Sequence, residues 1–316
     1  MEGELDRVHS ASSLRLLLTD PLGFVWKYAF RWDEPADVEG EEPVLLDPLA
    51  VGDLVHNVLE KAVAILECMG GFAGAPREAL EAAISSAVDE VRLKWESSVP
   101  VPPKVIWEKT LRKAGELALL ALTFDLLPLP GQRSYVEVPF GSAVSYQTPL
   151  VTPWDPAAPV LVRELGIRVS GRIDRLDLSG DAQTARVIDY KAVGKCPPED
   201  PGLKNGNELQ RCLYSVAVRA LLPGIQHVDA SLLYPTEQRL FTLDQPDQFI
   251  GQLVSYLRLA YENIRDGKAP PGIGAESKYN KLKFAFPSNA DGIYFPSKRA
   301  ARDSTVGSLL TLWEAS

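Results

Sequence analysis

Gly171-Arg-Ile-Asp174-Arg-Leu-Asp177, a turn at Ser179-Gly180-Asp181 and then Ile188-Asp189-Tyr190-Lys191 follow one another in close succession. Apolar residues alternate on either side of the turn, which predicts the two strands of a hairpin. Pairing brings one acidic residue of each strand, Asp174 or Asp177 on the first and Asp189 on the second, towards one end of that hairpin. Lys191, two residues beyond Asp189, falls on the same strand face. Two carboxylates and an ammonium then share a small volume. Carboxylate oxygens are hard ligands for Mg²⁺ or Mn²⁺, which bind phosphate oxygens, and a lysine beside them can orient an attacking water or neutralise a phosphate. A solvated hairpin with a cross-strand salt bridge would carry the same residues, so spacing alone leaves both readings open.

The surrounding elements must position these groups. Residues 1–130 read as helices. Ser10-Ala-Ser-Ser13 offers caps for a short helix over 14–18, and Asp20-Pro21 restarts one that carries Phe24, Val25, Tyr28 and Ala29. After an acidic, proline-containing loop over 33–48, Val55, Val58, Leu59, Ala62, Ile65 and Leu66 recur at helical spacing over 54–69, until Gly70-Gly71 ends the helix. Further helices are expected over 77–95 and 104–127, parted by Pro100, Pro102 and Pro103. From Ser134 the period turns to two. Strands are expected over 135–140, 167–178, 185–191, 228–234 and 239–243, a proline-rich loop over 149–159, and helices over 208–222 and 249–265. This order predicts an α/β core with an N-terminal helical layer packed against it.

Gln210 and Tyr214 lie one turn apart on the helix after the hairpin, so both can face the carboxylate end of the sheet. Alone, such a pair is ordinarily a helix surface. In the order GxxD, DxK, QxxxY, however, the chain resembles the nuclease domains of the RecB and AddB type within the PD-(D/E)XK superfamily. Val51-Gly-Asp-Leu-Val-His56-Asn-Val-Leu-Glu60 is similar to that group's N-terminal GxxxHxxLE helix, and Val136-Glu-Val-Pro-Phe-Gly141 to the ExxFG strand of AddB-like proteins. The resemblance runs from about residue 10 to 265. It implies a restriction-endonuclease-like core sheet flanked by helices in one nuclease domain, with the helical layer over 1–130, the α/β core over 131–265 and a basic, aromatic-rich tail over 266–316.

Carried over residue by residue, the resemblance makes Asp174 and Asp189 metal ligands and Lys191 the catalytic lysine. His56 becomes a further ligand reaching in from the helical layer, and the backbone carbonyl of Tyr190 completes the site. Gln210 and Tyr214 would support the active site and contact the DNA backbone. Asp177 competes with Asp174, and Gly171 three residues earlier favours Asp174. Glu60 reads as a helix-surface residue or one standing behind a ligand. The implied activity is a Mg²⁺- or Mn²⁺-dependent deoxyribonuclease. A silent DNA-binding or scaffold subunit would be expected to have lost one of His56, Asp174, Asp189 or Lys191, and none is missing. RNA stays open as the substrate, because nothing in the sequence reads a 2'-hydroxyl. Relatives work within helicase-nuclease machines of recombination, repair or anti-phage defence, which implies a helicase-like or defence-complex protein partner. Many AddB-like nucleases hold an iron-sulfur cluster through an N-terminal Cys-Pro and three C-terminal cysteines. Here the dipeptide is Asp20-Pro21 and no cysteine follows Cys212, so no iron-sulfur cluster is expected.

Composition agrees with one large domain or two small ones: 316 residues, 46% hydrophobic and 24% charged. The longest apolar run, 117–124, is well short of the roughly 18 residues of a spanning helix, and the N-terminus lacks the pattern of a signal peptide. No membrane association is expected. Cys68, Cys196 and Cys212, with no CxxC, suggest reduced thiols in a cytoplasm. The net charge of -9 arises in residues 1–60, where four Lys/Arg face thirteen Asp/Glu; the remainder is balanced. Within it, 265–302 carries eight Lys/Arg against three acidic residues, interleaved with Tyr279, Phe284, Phe286, Tyr294 and Phe295. Such a segment can neutralise phosphates and stack on unpaired bases of single-stranded DNA or duplex ends, or it is an ordinary solvated surface. No P-loop motif is present, so the chain supplies no ATP-driven motor.

Overall fold

The computed structural model describes residues 7–33, 44–142, 152–278 and 280–314. In chain order the elements are β1 (Val8–His9), α1 (Ala11–Thr19), α2 (Pro21–Phe24), α3 (Pro48–Cys68), α4 (Arg77–Ser98), α5 (Lys104–Leu122), β2 (Arg133–Phe140), β3 (Val160–Val162), β4 (Ile167–Val169), β5 (Gly171–Leu178), β6 (Thr184–Tyr190), α6 (Gln210–Leu221), β7 (His227–Tyr234), β8 (Arg239–Thr242), α7 (Pro246–Arg265), α8 (Phe295–Val306) and α9 (Leu309–Glu314). Ser10 and Ser13 form a reciprocal capping box that starts α1. Asp47 accepts from Ala50 N–H, and with Pro48 at the first helical position it starts α3 earlier than apolar spacing alone indicates. No helix among the described residues is long and apolar enough to cross a membrane.

Five strands form the main sheet in the order β2-β5-β6-β7-β8, and β1-β4-β3 form a second, smaller one. The β2/β5, β5/β6 and β7/β8 pairs are antiparallel, whereas β6 and β7 run parallel. A parallel pair needs a crossover, and α6 supplies it. The stretch 167–178, expected as one strand, is two. At Ser170, whose N–H donates to His9 O at 2.9 Å, the chain leaves the small sheet for the large one. Apolar alternation continues through this point, so periodicity cannot register the change of partner. The helix expected over 104–127 ends at Leu122.

One face of the main sheet is covered by α3, α4 and α5, with Leu54, Val58, Ala62 and Leu111 packed towards Ile188, Tyr190 and Leu233. Helices α1, α6, α7 and α9 cover the other face, against Ile173, Leu176, Val187 and Ala230. Full burial of each large aliphatic side chain contributes about 1.5–3 kcal/mol. Beyond α7 the chain returns to the core. Trp313 is buried and donates from Nε1 to Leu18 O at 2.7 Å, and Gly274 N–H donates to Thr19 O at 2.8 Å. Phe286 and Phe295 are buried in a small cluster with Leu22 and Trp26, Tyr294 is half-buried and Phe284 is exposed. Tyr279 lies outside the described residues.

Candidate active site

His56, Glu137 and Asp174 converge so that one ligand atom from each lies within 4.8 Å of the others. His56 projects from α3. Its Nδ1 lies 3.3 Å from Asp174 Oδ2 and its Nε2 lies 3.1 Å from the Tyr190 carbonyl, so the ring touches a side chain of β5 and the backbone of β6. Tyr190 N–H donates to Asp174 Oδ2 at 3.0 Å. Beyond the Tyr190 backbone, Lys191 Nζ lies 2.5 Å from Asp189 Oδ2 and donates to Gln210 Oε1 at 2.9 Å; Gln210 Nε2 in turn donates to the Tyr214 hydroxyl at 3.0 Å. Asp189 Oδ2 is buried, and the Lys191 ammonium is its charged partner.

Strand geometry explains the convergence. The β2/β5 register pairs Val136 with Arg175 and Val138 with Ile173, which leaves Glu137 opposite Asp174. The β5/β6 register ends at Arg175 with Ile188; one step further sets Asp174 beside Asp189. Three carboxylates therefore share one rung. Along β2, Tyr135, Val138 and Phe140 pack into the same core cluster and Val136 into the opposite one, so the facing slips by one at Glu137. Glu137 has φ +48°, a left-handed conformation that a non-glycine residue adopts at a cost of about 1–2 kcal/mol. The same slip occurs on β5, where Ile173 and Leu176 share a cluster. Two glycines make room for this rung. A Cβ on Gly171 would stand 2.8 Å from the Phe140 ring, and one on Gly141, at φ +72°, would stand 2.0 Å from Val169 O. Phe140, lying over Gly171, also meets the Tyr214 ring edge-on at 6.0 Å.

Burial pushes the Asp174 carboxyl well above the ordinary carboxylate range, and the Asp189 charge pushes it further against the pull of Tyr190 N–H, Lys191 and Arg172. Glu137 is raised to about 7, by burial and then by Asp174, although His56 and Arg172 oppose this. Burial alone would lower Lys191, but Asp189 and Asp174 outweigh it, so the amine is held as an ammonium. Tyr214 is raised well above its ordinary value by burial and then by the Asp174 and Asp189 charges, and keeps its proton. Carboxylates that resist ionising one another call for a cation. An imidazole nitrogen, two carboxylates and a backbone carbonyl form a largely hard donor set, which fits a divalent ion such as Mg²⁺ or Mn²⁺.

The family model described as the PD-(D/E)XK nuclease superfamily matches residues 8–275. The chain belongs to that superfamily. No curated protein matches it. Members of the PD-(D/E)XK superfamily are metal-dependent nucleases, and the mixed α/β architecture is that of their fold.

Of the residues singled out in the sequence, the structure brings together His56, Asp174 and the Tyr190 carbonyl in one set of contacts, and Asp189, Lys191, Gln210 and Tyr214 in another. Asp189 is not part of the three-residue cluster; its Oδ2 lies against Lys191. Asp177 is separate: it is buried, accepts from Arg175 Nη2 at 2.9 Å and from Ser134 Oγ at 2.8 Å, and helps to fix Arg175 against the Tyr190 hydroxyl. Glu137 and its ion-pair partner Arg172, 3.3 Å away, were not singled out as site residues. The available signal was the ExxFG segment that contains Glu137. Between α3, the C-terminal end of α4 and the Glu137/Asp174 rung opens a cleft of about 760 Å³, and Asp53, His56, Asn57 and Glu60 present one face of α3 to it.

Proposed function

We propose that this protein is a Mg²⁺- or Mn²⁺-dependent deoxyribonuclease of the RecB/AddB type that hydrolyses phosphodiester bonds of single-stranded DNA or duplex ends. The observation that carries the reading is the convergence of His56, Glu137 and Asp174 on one side of the Tyr190 backbone, with Lys191 held on the other. His56, Asp174 and the Tyr190 carbonyl would hold the ion, Glu137 supplies a further carboxylate, and Asp189 contributes once Lys191 turns to substrate. When bound, the ion polarises a phosphoryl oxygen and lowers the pKa of a water. Lys191, kept charged by Asp189, neutralises charge gathering on the phosphate and orients the attacking water. Gln210 fixes the lysine through Oε1 and is itself fixed by the Tyr214 hydroxyl, so the ammonium reaches the phosphate from a defined direction.

The resemblance to RecB and AddB supports action beside a helicase-like or defence-complex partner in DNA repair, recombination or anti-phage defence, in the cytoplasm. The test is incubation of purified protein with labelled single- and double-stranded DNA and RNA in Mg²⁺, Mn²⁺ or EDTA, with Lys191→Ala in parallel. Cleavage of DNA that needs the ion and is lost with Lys191 is the expected result. Cleavage of RNA alone would overturn the substrate, and binding without cleavage in either ion would leave a DNA-binding scaffold.

A further inference from the structure

We infer that the cleft beside the carboxylate rung is a pocket for one unpaired nucleotide, with its base against Trp95 and its phosphate drawn by Lys94 and Arg172. The inference rests on the nuclease reading above and narrows the substrate to a strand that enters the site single-stranded. A cleft of about 760 Å³ falls within the size range of small-molecule pockets, roughly 300–1,000 Å³. Bases inside a duplex are stacked and paired, whereas an unpaired base can be splayed into such a cavity.

The lining combines two chemistries. Trp95, Val99, Pro100 and Leu46 supply the apolar part of the lining. Trp95 is half-buried and braced by the buried Trp107, with ring centroids 6.0 Å apart and planes at 29°. Trp107 is itself fixed by donating from Nε1 to Glu96 Oε1 at 2.8 Å. A braced ring is a stacking platform that loses little freedom when a base arrives. Lys94, on the same turn and exposed, forms no ion pair among the described residues. The same lining carries Asp53, Glu60, Glu137 and Asp174, an acidic set that repels a phosphate no cation shields. A strand threading the cleft must therefore turn its neutral base to Trp95 and run its backbone past Lys94 and Arg172 towards the rung.

The test is fluorescence anisotropy in Ca²⁺, another hard cation, with intact labelled oligothymidylate, the same strand made abasic and a blunt hairpin duplex. Wild-type protein is expected to bind oligothymidylate roughly 5- to 150-fold more tightly than the abasic strand, the range for stacking one base on an aromatic ring. Trp95→Ala should abolish that preference, Trp95→Phe should keep part of it, and Lys94→Glu should weaken both single strands alike. An unchanged preference in Trp95→Ala, or wild-type preference for the blunt duplex, would overturn the inference. If Trp95→Ala fails to fold by circular dichroism, Ala50→Trp, which fills the cleft from the first turn of α3, decides: it should lose the preference, and its persistence counts against the pocket. Cleavage in Mg²⁺ by the same preparations separates the two readings. An active enzyme without base preference sinks the pocket alone, and absence of cleavage by a protein that keeps the preference sinks the nuclease.

Discussion

Asp20 is 1% exposed, and among the described residues its Oδ2 has no hydrogen-bond partner; backbone N–H groups, among them Gly272 at 3.3 Å, oppose the cost of its burial. Burial pushes its pKa up from 3.8 to about 6. The folded state therefore binds the proton more tightly than the unfolded chain. Stability attributable to this group is greatest below about pH 4 and falls as pH rises towards 6. A shift of about two pKa units corresponds to roughly 3 kcal/mol lost at neutral pH, of which roughly 1–2 kcal/mol is lost between pH 5 and 7.5. Asp20→Asn keeps an acceptor for Gly272 and removes the charge. Urea unfolding of both proteins at pH 5, 6 and 7.5 should show the variant gaining on wild type by that amount as pH rises. A stability difference that does not change with pH would refute the argument, and a variant that loses ground as pH rises would reverse its sign.

Glu137→Gly should be more stable than Glu137→Ala by about 0.5–1 kcal/mol in thermal unfolding, the reverse of the usual order in a strand, because only glycine relaxes at φ +48°. Both should weaken Mn²⁺ binding measured by calorimetry. Asp174→Ala and Asp189→Ala should each abolish cleavage while circular dichroism stays unchanged, and full activity in either would remove that residue from the mechanism. His56→Ala should cost metal affinity and activity together, with partial rescue by Mn²⁺ in His56→Asp; a fall in thermal stability alone would make it a packing residue. Replacing Cys68, Cys196 and Cys212 with serine should leave cleavage largely intact, and purified protein should contain no labile sulfide, since three thiols on separate elements are too few for four-thiolate ligation.

The elements with strong periodicity or clear punctuation were legible in the sequence: α3, α4, α6, α7 and the strands β2, β6 and β7. So were Asp174, Asp189, Lys191, Gln210 and Tyr214, whose order along the chain mirrors their meeting across β5, β6 and α6. Glu137 was hidden because a period-two reading assumes that facing never slips, and it slips at this residue. Asp177 competes with Asp174 by strand placement; Gly171 three residues before Asp174 favours Asp174, and the buried pairing of Asp177 with Arg175, which no spacing reveals, sets Asp177 apart. Helices α8 and α9 lack a long apolar stripe of their own. Val306, Leu309, Leu312 and Trp313 find their partners on α1 and α7, so tertiary packing rather than local pattern makes them helical.

The hydrogen bond from Trp313 to Leu18 joins residues 295 positions apart. During synthesis α1 emerges long before the segment that seals it, so Leu14, Leu17 and Leu18 stay without their final partners while the intervening chain is made. The loop before α6 waits too: Asn205 Nδ2 donates to Trp313 O at 2.9 Å, and Gly206 is wedged between Leu18 and Leu312. That loop leads directly into Gln210, the residue that aims Lys191. Ribosome-bound chains halted before Leu309 should therefore already protect β5 and β6 from proteolysis yet remain cleavable at 200–209, with Lys191 unaimed until α9 has docked.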